Sequence, residues 1–121
     1  MEKIQILSIG RDPLLLQKLS TFINENPKWE STATVDDETA IELFHQQKFN
    51  IILLIDQIER ESEKKFHSFF SFNNPDLIFI KHVGDSTELV AEEIHEALDK
   101  RKKPVNIVDD IFKNKKEDSD Q

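Results

Sequence analysis

The chain has 121 residues and 14.2 kDa, room for one hydrophobic core and not for two. Its 16 basic residues against 24 acidic ones leave a net charge of −8, which disfavours general binding to nucleic acid or anionic membranes and points to proteins as partners. The absence of cysteine excludes a disulfide framework, a thiolate zinc site and a thiol nucleophile.

Ile4, Ile6, Leu7 and Ile9 predict a first strand, closed by Gly10. This run is too short for the core of a signal peptide, and no segment has the length of a membrane span, so the expectation is a soluble cytoplasmic protein. Asp12 followed by Pro13 is a helix start: the carboxylate caps free amides, and proline at the first helical position gives up no hydrogen bond. The helix carries Leu14, Leu15, Leu16, Leu19, Phe22 and Ile23 and ends between Asn24 and Pro27. WESTATV, residues 29–35, predicts a second strand, after which Asp36 and Asp37 cap a helix that buries Ala40, Ile41, Leu43 and Phe44.

IILLI, residues 51–55, has no polar alternation, the pattern of a central parallel strand covered on both faces. A third helix over residues 61–72 carries Phe66, Phe69 and Phe70, and DLIFIKHV, residues 76–83, reads as a fourth strand. Gly84 closes that strand, Asp85 or Ser86 caps a fourth helix, and Leu89, Val90, Ile94, Ala97 and Leu98 mark about three turns of it. Alternating strands and helices imply right-handed crossovers and a doubly wound parallel sheet of four to five strands with helices on both faces. Beyond Leu98, VNIVDDIF, residues 105–112, fits either a fifth strand or an amphipathic helix. One domain is expected over 1–112, followed by a polar, disordered tail over 113–121.

KIQILSIGRDPLLLQKLSTFI, TATVDDETAIELFHQQKFNIILLI and KKPVNIVDDIF together resemble the response-regulator receiver domain, the CheY-like, flavodoxin-like module of bacterial two-component signalling. The resemblance covers roughly residues 3–112 and rests on pattern and spacing. It implies an acidic pair holding Mg²⁺ after the first strand, where this chain has Gly10 and Arg11 and only the following Asp12 fits. It implies an acceptor aspartate at the end of the third strand, where this chain has Ile55 and places Asp56 one residue late; strand alternation then turns Asp56 to the opposite face. The small hydroxyl residue expected after the fourth strand falls near Lys81 or His82, and Lys103 with Pro104 matches the family's Lys-Pro.

These departures describe a degenerate receiver, a pseudo-receiver. The resemblance then implies a phosphorylation-independent protein-interaction module, not an enzyme, that docks through residues 87–112 and takes a homodimer as one form. Ile107, Ile111 and Phe112 are candidate contacts there. One alternative is a working receiver phosphorylated at Asp56 by a histidine kinase, with Mg²⁺ as its cofactor; otherwise no cofactor is expected. A second is a small-ligand sensor in the crevice near Gly10 and Gly84, at the carboxyl edge of the sheet.

The remaining motifs carry less chemistry. His45, His67, His82 and His95 lack the spacing of a metal site and read as surface histidines. Phe72 and Phe70 fall off the apolar stripe of the third helix and are candidate interaction anchors. KRKK, residues 100–103, reads as a solvated helix end rather than a nucleic-acid contact.

Overall fold

The computed structural model describes residues 2–102; Lys103, the VNIVDDIF segment with Ile107, Ile111 and Phe112, and the polar tail lie outside the described residues. Strand β1 (Ile4–Ile9) leads to helix α1 (Pro13–Asn24), β2 (Trp29–Thr34), α2 (Asp37–Gln46), β3 (Ile51–Ile55), α3 (Arg60–Asn73), β4 (Ile78–His82) and α4 (Thr87–Lys102). The strands form one parallel sheet in the order β2-β1-β3-β4. The doubly wound reading therefore holds for the four described strands.

Local chemistry starts the helices where the sequence predicts. Asp12 accepts from the amides of Leu14 (3.0 Å) and Leu15 (3.4 Å), with Pro13 in the first turn of α1. Asp36 caps α2 through the Thr39 amide at 2.9 Å, and Ser86 accepts from the Leu89 amide at 3.0 Å to open α4. Glu59 precedes α3 without capping it, because its carboxylate is spent elsewhere.

Two apolar layers flank the sheet. On one face, α1 and α4 bring Leu16, Leu19, Ile23, Val90 and Ile94 onto Ile6, Ile51, Leu53, Ile55 and Ile80. On the other, α2 and α3 cover Leu7, Ile9, Ile52 and Leu54 with Ala40, Phe66 and Phe70. β3 is buried along its whole length, as its unbroken aliphatic run requires. β2 lies at the sheet edge and buries hydroxyls as well as Trp29: Ser20 donates to Ser31 at 2.8 Å, and Ser31 and Ser8 share a second bond of 2.8 Å.

Two expectations need correction, at Leu14 and at Phe70. Leu14 sits on the solvent side of α1, 78% exposed, because it falls outside the stripe of Leu16, Leu19 and Ile23. The fourth helix runs through Lys102, in keeping with the reading of KRKK as a helix end, since Lys and Arg are good helix formers and a charged last turn favours the helix dipole. Phe70 is fully buried, stacked on Phe44 at 4.4 Å, so it is core and not an anchor. Phe72, turned away from the sheet side, is 88% exposed.

Candidate functional site

The loops after β1, β2, β3 and β4 meet at the carboxyl edge of the sheet, where doubly wound folds hold ligands. Gly10 ends β1 there, its amide donating to the Thr34 carbonyl at 3.2 Å. A Cβ at Gly10 would stand 3.2 Å from Cβ of Ile55, tighter than ordinary contact, so glycine is what lets the two strand ends approach. Ile55 fills that space. It is 1% exposed and packs into the α1–α4 layer beside Leu16.

Arg11 comes next and spans three loops. Its Nη1 donates to the Val35 carbonyl at 2.6 Å, its Nη2 to Asp37 at 2.6 Å and to Glu59 at 2.8 Å, and its Nε to Glu59 at 3.0 Å. A longer contact of 3.2 Å reaches the Ser62 hydroxyl, which itself donates to Asp37 at 2.6 Å. Lys65 closes the other side of Asp37 at 3.0 Å. The cluster balances two cations, Arg11 and Lys65, against two carboxylates, Asp37 and Glu59.

Burial alone would raise the Asp37 pKa, but hydrogen bonds from Ser62, Arg11 and Lys65 outweigh it and hold the carboxyl down at about 2. Glu59 is lowered by its own backbone amide and by Arg11. Burial would lower the Arg11 pKa, yet Asp37 and Glu59 raise it, which keeps the guanidinium charged. A charge-assisted, bidentate network of this kind fixes geometry. It leaves little free donor capacity for an incoming anion.

Asp12 is occupied as the cap of α1, and Asp56 is held separately. The Asp56 amide donates to the His82 carbonyl at 2.9 Å, and its carboxylate accepts from the Gly84 amide at 3.3 Å, tying the β3–α3 and β4–α4 loops together. Gln57 adopts a left-handed conformation (φ 72°), which turns the chain sharply out of the strand. Lys81 points to the α3 side, paired with Glu63 at 3.1 Å.

His82 corrects the expectation of surface histidines. It is fully buried, with Nδ1 2.8 Å from the Glu93 carboxylate on α4 and Nε2 without a protein partner. The other three histidines rest against aromatic rings: His45 near Phe69, His67 on Phe79 and His95 near Trp29. Among the described residues, no group of three His, Asp or Glu side chains is placed to hold a metal ion.

Gly10, Arg11, Asp12, Ile55 and Asp56 are therefore brought to one edge, but not into one acidic pocket. Mg²⁺ calls for carboxylate and water oxygens in octahedral array. The residues here do not fit that ion: Gly10 offers no side chain, Arg11 is ion-paired, and Asp12 is committed to a helix. Asp37, Glu59, Ser62 and Lys65 were not among the predicted site residues. The signal for them is Arg11 itself, because a guanidinium at a strand end of a wound sheet draws counter-charges from neighbouring strand ends.

No family model matches the chain, and no curated protein does. Solved structures do. The chain is similar to the signal receiver domain of an HD domain-containing protein from Pseudomonas fluorescens, with a TM-score of 0.64 and 10% identity over 83% of this chain and 98% of that one. It is similar to a CheY-like response regulator receiver domain from Methanospirillum hungatei, with a TM-score of 0.60 and 18% identity over 83% and 97%. A response regulator receiver protein from Pseudomonas putida matches with a TM-score of 0.57 and 12% identity over 80% and 81%. The chain has a receiver-like fold. Among the described residues, no helix is long and apolar enough to cross a membrane.

Proposed function

We propose that this domain is a cytoplasmic, phosphorylation-independent receiver-like module of bacterial signalling, whose work is binding a protein partner rather than catalysis. One observation carries the reading: Ile55, which the resemblance aligns with the family's acceptor, is packed in the core against Gly10, while Arg11, which it aligns with the acids, is locked between Asp37 and Glu59. Losing an acceptor and its metal ligands removes a switch. It leaves the sheet, the helices and their surfaces intact as a docking scaffold.

Asp56 is the residue on which the alternative turns, because its carboxylate lies at the same edge and keeps some exposure. Its anchor on Gly84 supports a loop-tying role instead. The ligand-sensor reading loses support at Gly10, where Ile55 and Leu16 already fill the space beside the backbone.

An amide-resolved NMR titration with Mg²⁺, then with Mg²⁺ and beryllium fluoride as a phosphoryl mimic, tests the reading. The expected spectrum is unchanged at Gly10 to Asp12 and at Ile55 to Gln57. Saturable shifts focused on those residues would overturn it and make Asp56 an acceptor.

A further inference from the structure

Phe72 is an aromatic side chain that neither the core nor the carboxyl edge of the sheet uses. Helix α3 turns Phe66 and Phe70 into the core and leans Lys65 and Phe69 toward α2, Lys65 pairing with Asp37 at 3.0 Å and Phe69 lying 5.4 Å from the His45 ring. Phe72 follows Lys65 and Phe69 on the same flank at helical spacing, and it stands 88% exposed. Beside it runs a mostly apolar groove of about 630 Å³, lined by Lys65, Ser68, Phe69, Phe72 and Asn73.

One helix flank thus carries both a knob and a hollow. Phe72 and Lys65 are seven residues apart, about 10 Å along α3, and a twofold axis crossing the helix between Ser68 and Phe69 lies midway between them. Helical side chains lean toward the N-terminus of their own helix. Two copies of α3 packed antiparallel about that axis therefore set the ring of each Phe72 into the other's hollow between Lys65 and Ser68. Ser68, at the axis, is small enough to let the helices approach.

We propose that this flank of α3 is the contact between two copies of the chain, with Phe72 as its anchor. The pairing rests on the reading of the domain as a protein-binding module, names the partner, and moves the docking surface from residues 87–112 to α3.

The charges of the flank suit a second copy. Lys65 is the only charged residue lining the groove, and the twofold places it against Phe72 rather than against itself. Its ammonium already lies 5.9 Å from the Phe66 ring centroid, and Phe72 of the second copy adds another aromatic face. The last turn of α3 has no basic residue of its own; the antiparallel copy brings Lys65 alongside it, where a cation complements the helix dipole. Because α3 ends at Asn73, no helical residue of one copy lies opposite Glu61 of the other. The contact also lies away from α4, which packs on the opposite face of the sheet.

Sedimentation velocity of the full chain over a concentration series, without metal or phosphodonor, should show the mass rising from 14.2 kDa toward twice that value. In a mixture of isotope-labelled and unlabelled protein, filtered NOEs should join the Phe72 ring of one copy to the Lys65 and Ser68 side chains of the other. Phe72→Ala should weaken the dimer at least about a hundredfold, because both copies lose the anchor. Ser68→Asp, which sets two carboxylates against each other at the axis, should leave a monomer. Both positions are exposed, so the circular dichroism of each variant should remain that of the folded chain. Leu14→Ala, which removes an exposed apolar side chain from α1 on the opposite face, should dimerise like the wild type. A wild type that stays monomeric at every concentration overturns the pairing. So does a dimer that lacks the NOEs from Phe72 to Lys65, is indifferent to Phe72→Ala or to Ser68→Asp, or is abolished by Leu14→Ala. None of these results bears on the acceptor site, which the beryllium fluoride titration reads separately.

Discussion

Replacing Arg11 with methionine keeps much of the side chain's length and removes its charge and all five hydrogen bonds. The Arg11 and Asp37 side chains are 23% and 18% exposed, between a surface pair, worth up to about 1 kcal/mol, and a buried one, whose breaking costs about 3–5 kcal/mol. The expected loss is about 2 kcal/mol, because Ser62 and Lys65 still serve Asp37. Urea unfolding monitored by Trp29, the single tryptophan and a buried one, measures it. A double-mutant cycle with Asp37→Asn should give a coupling above about 1 kcal/mol.

The pH dependence has a defined sign. The folded Asp37 pKa, about 2, lies below its ordinary 3.8, so its contribution is present above pH 3.8 and is lost as pH falls toward 2. The linked free energy is at most roughly 2 kcal/mol, reduced by the solvent that reaches the cluster. In Arg11→Met the acid slope through that window should flatten. Additivity within about 0.5 kcal/mol, or an unchanged acid slope, would refute the clamp.

Ile55→Asp should destabilise the fold by more than about 3 kcal/mol, because a carboxylate would enter a core layer with no partner; calorimetry or urea unfolding reads the loss directly. Phe70→Ala should cost about 3–5 kcal/mol and Phe72→Ala less than about 0.5 kcal/mol, so a Phe72→Ala loss comparable to that of Phe70→Ala would show that both are core.

The strand and helix order is legible because each signal is local: Asp12–Pro13 and Asp36 cap within their own turn, and IILLI has no polar residue to place outside. The offset between Ile55 and Asp56 is legible for the same reason, since strand alternation acts residue by residue. The Arg11 cluster is not, because its partners Asp37 and Glu59 lie 26 and 48 residues away and meet only when three loops converge. His82 is hidden likewise: a polar residue near a strand end reads as exposed until α4 lays Glu93 over it. The charged residues 99–102 continue α4, since hydrophilicity and helicity are independent properties.

The contact between Gly10 and Ile55 also orders the routes by which this chain could change. An acid introduced at position 10 while Ile55 remains meets a Cβ at 3.2 Å, so that step is a loss with no function to offset it. Shrinking Ile55 first opens a void in the α1–α4 layer, which is again a loss. Each single step toward an acidic site at these positions thus runs downhill in stability, and the two positions act together as a ratchet whose two teeth must be lifted at once.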